Sequence, residues 1–197
     1  RRGFGWTPAS PARPDIFGPI SETTRKARRG IPGKPDEVHG VNYYFTETEE
    51  AFMENADSRF VEYERNSANN CLYGTLYSEV ERIPDGATAI FELTVTGALK
   101  IKELDPDAKI VSITTSDPES TSKARLAERK TELPEERDAR ILIGRKERSF
   151  IEQLEIDGKI ACTIVNDNLE EATKHLLETI ERYEREFALR KYRCAAS

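Results

Sequence analysis

Histidine is nearly missing from this chain: His39 and His175 are the only two in 197 residues. A histidine-centred catalytic triad and a multi-histidine metal site therefore lack their material, and no metal site is predicted. Cysteine is also scarce. Cys71, Cys162 and Cys194 are odd in number and far apart, which excludes a disulfide framework and a zinc spacing and predicts reduced thiols in a cytoplasmic setting. No run of about 18 apolar residues occurs, so no membrane-crossing helix is expected, and no signal peptide is visible. Positive charge is outnumbered, 30 Lys and Arg against 36 Asp and Glu, for a net charge of −6. Non-specific attachment to nucleic acid or to a membrane is not expected of so acidic a chain. No internal repeat is present. The first residue is not methionine, which implies an upstream segment or a processed start.

What is present suits one domain with a sizeable insert: 37% hydrophobic and 34% charged residues. Residues 1–13, with Trp6 among them, carry Arg, Pro and Gly without periodicity and read as an irregular tail. The residues around which the chain is organised follow. Arg25 and Arg28 sit three apart beside the hydroxyls of Ser21, Thr23 and Thr24. Arginine presents a planar fork of donors that fits phosphate or carboxylate oxygens two at a time. Gly30 to Asp36 is a breaker-rich loop, after which Tyr43 and Tyr44 can each add a phenolic donor. Two readings stay open on these residues alone: a small anion site, or a solvated basic loop.

Further on, periodicity predicts alternating elements. Val41–Thr46 reads as a strand, and Thr46 with Glu49 as a capping box opening a short helix through Ala56. Phe60–Glu64 reads as a strand followed by an Asn-rich turn at 66–70, Leu72–Thr75 closes that unit, and Tyr77–Arg82 reads as one or two helical turns. Ala87–Val95 and Lys109–Thr115 are apolar runs on either side of a helix at 97–103, a βαβ pattern that implies a parallel sheet. Charged helices are predicted over Asp117–Lys130 and from Pro134 to near Gly158, followed by a strand at Lys159–Val165. Asp167 or Asn168 caps a last helix whose Leu169, Ala172, Leu176, Leu177, Ile180, Tyr183 and Phe187 share one face, a core-covering element without chemistry.

Taken in order, these segments resemble the guanylate kinases, which move a phosphoryl group from ATP to GMP. Residues 21–28, Ser-Glu-Thr-Thr-Arg-Lys-Ala-Arg, resemble the family's S-x-T-T-R-x-x-R. Glu37 to Phe45 resembles E-x-x-G-x-x-Y-x-F. Phe60-Val61-Glu62 and Tyr73-Gly74-Thr75 resemble F-L-E and Y-G-[ST]. Gly97-Ala98 matches the end of I-D-x-x-G-A, Arg140 to Glu147 fits R-[LI]-x(5)-E, and Ile164 to Leu169 resembles the last strand and helix start. The resemblance implies an α/β fold: a P-loop-kinase-like parallel sheet flanked by helices, a mixed β GMP-binding subdomain over about 21–80, and a helical lid over about 117–148, all within 14–197. It implies that Ser21, Glu62 and Thr75 read guanine, with Glu62 accepting from the ring N–H and the exocyclic amine together. Arg25, Arg28, Glu37, Tyr43 and Tyr73 would form the GMP phosphate side. Arg129 and Arg140 would reach the transferring phosphate as catalytic lid residues, Asn166 would touch the adenine of ATP, and ATP and Mg²⁺ would be the co-substrates.

The departures are specific. The family begins with a strand and the loop G-x-x-x-x-G-K-[ST], which cradles the ATP phosphates. No such run occurs here: Gly33-Lys34 is followed by Pro35, and Gly158-Lys159 by Ile160. The first strand and phosphate loop are thus missing from the 197 residues. Thr94 stands where the family has an aspartate, the 30–36 loop is added, and Gly18-Pro19 interrupts an expected strand. Two readings follow from the resemblance: a guanylate kinase whose GMP site is kept while the ATP loop is absent from this chain, or an inactive guanylate-kinase-like binding or scaffold domain with a protein partner.

Overall fold

Residues 60–76 set the frame. Phe60–Arg65 (β4) and Leu72–Leu76 (β5) form an antiparallel hairpin whose turn is closed by the Asn66 N–H on the Cys71 carbonyl, with Asn70 at φ 56°. Asparagine tolerates that left-handed geometry better than most residues, which is why the Asn-rich turn sits there. The computed structural model describes Arg13, residues 15–67 and 69–121, Ala124 and residues 134–195, with the backbone alone at 134–140 and 193–195. These residues divide into two compact units at Pro106/Asp107.

In the first unit, β5 also pairs antiparallel with Ser21–Thr23 (β2), and β2 pairs parallel with Tyr44–Phe45 (β3). One face of this four-stranded sheet is covered by two short helices, Glu49–Met53 (α1) and Ala56–Arg59 (α2). Phe52, fully buried, stacks on Phe60 with ring centroids 4.5 Å apart, and Ala56 and Leu72 complete the core. Behind α1, Arg59 donates to the carbonyls of Ala51, Phe52 and Glu54 and, at 2.6 Å, to the buried carboxylate of Glu22. One guanidinium thus satisfies helix-end carbonyls and ties α1 to β2.

A β-bulge decides what the other face carries. Phe60 lies opposite Leu76, yet Glu62, two residues on, lies opposite Thr75, because the register shifts between them. Strict alternation would put Phe60 and Glu62 on the same face. The extra residue instead leaves Phe60 in the core and turns Glu62 away from it. Gly74 makes this packing feasible, since a Cβ there would come within 2.7 Å of Phe60 Cδ1 and 2.8 Å of Tyr63 Cβ.

Several expected elements shift. The expected strand at 41–46 shrinks to β3, because Gly40 at φ 74° opens a turn in which the N–H groups of Val41 and Asn42 bond the Val38 carbonyl. The cap of α1 is Thr48, which accepts from Ala51 N, while the expected cap Thr46 donates instead to Glu22. The expected strand at 87–95 forms a ladder only at Thr88–Ala89 (β6), parallel to Ile16–Phe17 (β1). Its last bond runs from Ile90 N to Phe17 O, and Gly18-Pro19 ends the partner strand. Tyr77–Glu81 (α3) follows β5 directly, and Val95–Leu104 (α4) starts two residues earlier than expected.

In the second unit, Val111–Thr114 (β7) and Cys162–Val165 (β8) pair in parallel, so the single parallel sheet expected appears as two separate two-stranded pairs. Residues 118–121 are helical behind an Asp117 cap, as is Ala124, and the other residues of the expected 117–130 helix lie outside the described residues. Pro134–Ile156 (α5) ends where expected: Gly158 at φ 67° lets its own N–H reach Glu155 O and that of Lys159 reach Leu154 O, a Schellman closure. Asn168 caps Leu169–Ala195 (α6), accepting from Glu170 N and Glu171 N. Leu154, Ile164, Ala172 and Ile180 are buried. Leu169 and Phe187 are exceptions to the expected face, 61% and 52% exposed, one in the first turn and the other well down the helix. Among the described residues no helix is long and apolar enough to cross a membrane.

Candidate functional site

The turned face of the sheet carries a row of three polar residues. Ser21 is opposite Thr75, and Thr75 is opposite Glu62, so β2, β5 and β4 each contribute one. Paired residues on antiparallel strands project to the same side, which brings the three together. Thr75 is 1% exposed and Glu62 6%. The Thr75 hydroxyl donates to Glu62 Oε1 at 2.7 Å. It is the one side-chain hydrogen-bond donor on this carboxylate among the described residues. Burial pushes the Glu62 carboxyl above its ordinary range, and the Thr75 hydrogen bond only partly opposes that. From α4, Gly97 approaches so closely that a Cβ there would lie 3.0 Å from Glu62 Oε2. The arrangement offers a buried two-oxygen acceptor next to hydroxyls, suited to a pair of adjacent N–H donors.

A cationic group lies further along the same strands. Arg25 forks onto Glu37, with Nη1 donating to Oε2 at 2.8 Å and Nη2 to Oε1 at 3.0 Å. The backbone N–H of Arg28 donates to the same carboxylate at 2.7 Å. Burial opposes charge on both partners, yet their pairing outweighs it: Arg25 is held above and Glu37 below its ordinary value. The Arg25 guanidinium also lies over the Tyr43 ring, 5.2 Å from its centroid, and Tyr43 meets Tyr73 edge-on at 6.0 Å. Burial pushes the Tyr43 phenol up, as does the charge of Glu92. Arg28 is the more open arginine, its side chain 52% exposed. Thr23 and Thr24 are spent on backbone: Thr23 Oγ1 donates to Leu72 O, and Thr24 Oγ1 accepts from Leu72 N.

The other expected residues lie in the second unit or on its edge of description. Arg129 is outside the described residues, and Arg140 lies on α5 with its side chain outside them. Asn166 follows β8, its N–H on Thr114 O, and it is Asn168 that caps α6. Thr94 caps α4, its hydroxyl accepting from Gly97 N at 3.2 Å. Sequence reasoning missed two buried carboxylates, Glu22 and Glu79, and the half-buried Arg59 that pairs with the first. For Glu22 a signal existed: a carboxylate between Ser21 and Thr23 in a strand must face away from them, toward α1 and α2.

Residues 11–183 match the sequence model of the family described as guanylate kinase. The chain belongs to the guanylate kinase family. A guanylate kinase of Clostridium perfringens (strain 13 / Type A) is 36% identical over 163 residues, which are 82% of this chain and 68% of the relative. One of Fusobacterium nucleatum subsp. nucleatum is 33% identical over 163 residues, 82% of this chain and 80% of that one. The crystal structure of guanylate kinase from Anaplasma phagocytophilum aligns with a TM-score of 0.66 over 86% of this chain and 77% of its own, at 21% identity, and shares the fold. Guanylate kinases use GMP with ATP and Mg²⁺. No G-x-x-x-x-G-K-[ST] run occurs within the 197 residues, and the Thr94 side chain is a hydroxyl that caps α4.

Proposed function

We propose that the first unit is a GMP site, and that GMP phosphorylation to GDP is the activity from which this chain descends. The observation that carries the reading is the buried Glu62 carboxylate beside Thr75 and in line with Ser21. Guanine presents a ring N–H and an exocyclic amine side by side, and one carboxylate accepts both. Adenine offers an unprotonated ring nitrogen at that edge, which would face the carboxylate unpaired. The Ser21 hydroxyl would serve the guanine carbonyl, and that of Thr75 would join it by exchanging its hydrogen bond to Glu62 for one to the base. Discrimination of this kind is strong because the unmatched buried group stays unpaired. Arg25, Arg28, Tyr43 and Tyr73 would face the phosphate, with Glu37 holding the two arginines in place. Arg129 and Arg140 would meet the transferring phosphate, and Asn166 the adenine of ATP.

The second reading, a binding domain without transferase activity, draws on Thr94. Its hydroxyl serves as the cap of α4 and supplies no carboxylate. Two measurements on the 197-residue polypeptide separate the readings: calorimetric titration with GMP and a coupled assay of ATP-dependent GDP formation. Binding without turnover is the expected result, since one lost donor of a phosphate cradle costs roughly 10²–10³ in rate. Ordinary turnover would refute the binding-only reading, and absence of GMP binding would refute the site itself.

A further inference from the structure

Helix α3 sends one buried carboxylate into the seam between β2 and β3. Glu79 is 7% exposed, and its oxygens take three donors. The Ile20 backbone N–H bonds Oε2 at 3.0 Å, while the Tyr44 hydroxyl at 2.8 Å and Arg82 Nη1 at 2.7 Å share Oε1. Arg82 is largely in solvent, its side chain 64% exposed, so the inner part of the network is Ile20–Glu79–Tyr44. Burial opposes the charge on Glu79, and the three donors outweigh it, holding the carboxyl below its ordinary range.

The placement of those two inner partners matters. Ile20 immediately precedes Ser21, on the base side of the site, and Tyr44 immediately follows Tyr43, on the phosphate side. Each flank has other contacts: Ser21 pairs with Thr75, and Tyr43 takes the Gly40 N–H on its carbonyl and lies against Arg25 and Tyr73. What Glu79 adds is a side-chain tie from one flank to the other. Ile20 lies between β1 and β2 after Pro19, which has no N–H, and β3 is only two residues long, with two register pairs to β2. A strand so short fixes a side chain poorly unless something else ties it down.

We infer that Glu79 is a positioning residue of the nucleotide site, setting Ser21 and Tyr43 at a fixed separation so that base and phosphate are met together; the inference rests on the GMP reading above. Glu79 touches no ligand in this account. It acts by preorganisation: contacts that are already in place need not be ordered when the ligand binds, and affinity rises by the ordering cost avoided. Because it joins the two halves, its loss should be felt most by a ligand that occupies both.

The test is calorimetric titration of the unmutated chain, Tyr44→Phe and Glu79→Gln with GMP and with guanosine, well below the melting temperature so that fitted stoichiometry reports the folded fraction. Tyr44→Phe deletes one hydroxyl and keeps the ring and the Ile20 bond. It should weaken GMP binding about tenfold at unchanged stoichiometry, and guanosine binding less. Glu79→Gln should weaken both ligands, because an amide N–H then points at a group that is itself a donor. Should Glu79→Gln fail to fold, Tyr44→Phe carries the test alone. Tyr44→Phe binding GMP as tightly as the unmutated chain, whatever its melting temperature, overturns the positioning role and leaves the GMP site standing. An unmutated chain that binds neither ligand overturns both.

Discussion

Glu62 is where stability and recognition pull apart. Its carboxyl is raised by burial, so the charged form that would read guanine is the form the fold disfavours. The sign follows: a carboxyl whose folded value lies above its unfolded one withdraws stability as pH rises through that range. Glu62→Gln should therefore stabilise the ligand-free chain at neutral pH, by about 1 kcal/mol, while abolishing the preference for GMP. Thermal melts and titrations on the same variant check both halves. Guanosine, which has no titrating phosphate, should bind the unmutated chain more tightly as pH climbs above the ordinary carboxylate range, and Glu62→Gln should lose that dependence. On the phosphate side, Arg25→Lys should cost roughly 1.5–3 kcal/mol of GMP affinity, because lysine cannot keep the fork on Glu37 while facing an anion. Guanosine affinity should change little. At this scale the motifs located Ser21, Glu62 and Thr75, and the strand register puts them in one row. Glu79 was illegible because Tyr-Ser-Glu-Val-Glu in a short helix gives no sign which glutamate turns inward.

At the scale of elements, the bulge in β4 and the glycine opposite it act as a unit. Gly74→Ala would push a methyl into Phe60 and Tyr63. Such overpacking should cost about 1–3 kcal/mol by denaturant unfolding and, by moving β4, weaken GMP binding too. Alternation alone could not foresee the bulge, since Phe-Val-Glu read strictly puts phenylalanine and glutamate on one face. Strand and helix identities were mostly legible, but their ends were not. Thr46 and Thr48 both stand near Glu49 and Glu50, and tertiary demand from the buried Glu22 decided between them. At α4 the cap is the same residue that departs from the family. Aspartate caps helices about as well as serine or threonine, so Thr94→Asp should leave stability within about 0.5 kcal/mol of the original, whereas Thr94→Ala should lose about 1 kcal/mol. Paired thermal melts of the two variants check this.

At the scale of the whole molecule, membership of the family was legible through an ordered series of short motifs, no one of which is specific alone. What those motifs could not convey is how far the sheet extends: runs that read as βαβ form ladders of two and four residues, each with a single partner strand. A family-like first strand and phosphate loop joined to these 197 residues should raise ATP:GMP phosphoryl transfer, and Thr94→Asp should raise it further. No gain from either addition would point to a domain specialised for binding.

The proposed GMP site stands or falls with base selectivity in the first unit. Its most direct measurement is isothermal titration of the unmutated 197-residue chain with GMP and AMP under one buffer and salt condition. Both ligands carry the same phosphate, so the arginine side cannot create a difference between them. The account predicts that GMP binds at least tenfold more tightly, the margin set by the edge that meets Glu62. Equal affinity for GMP and AMP would contradict it.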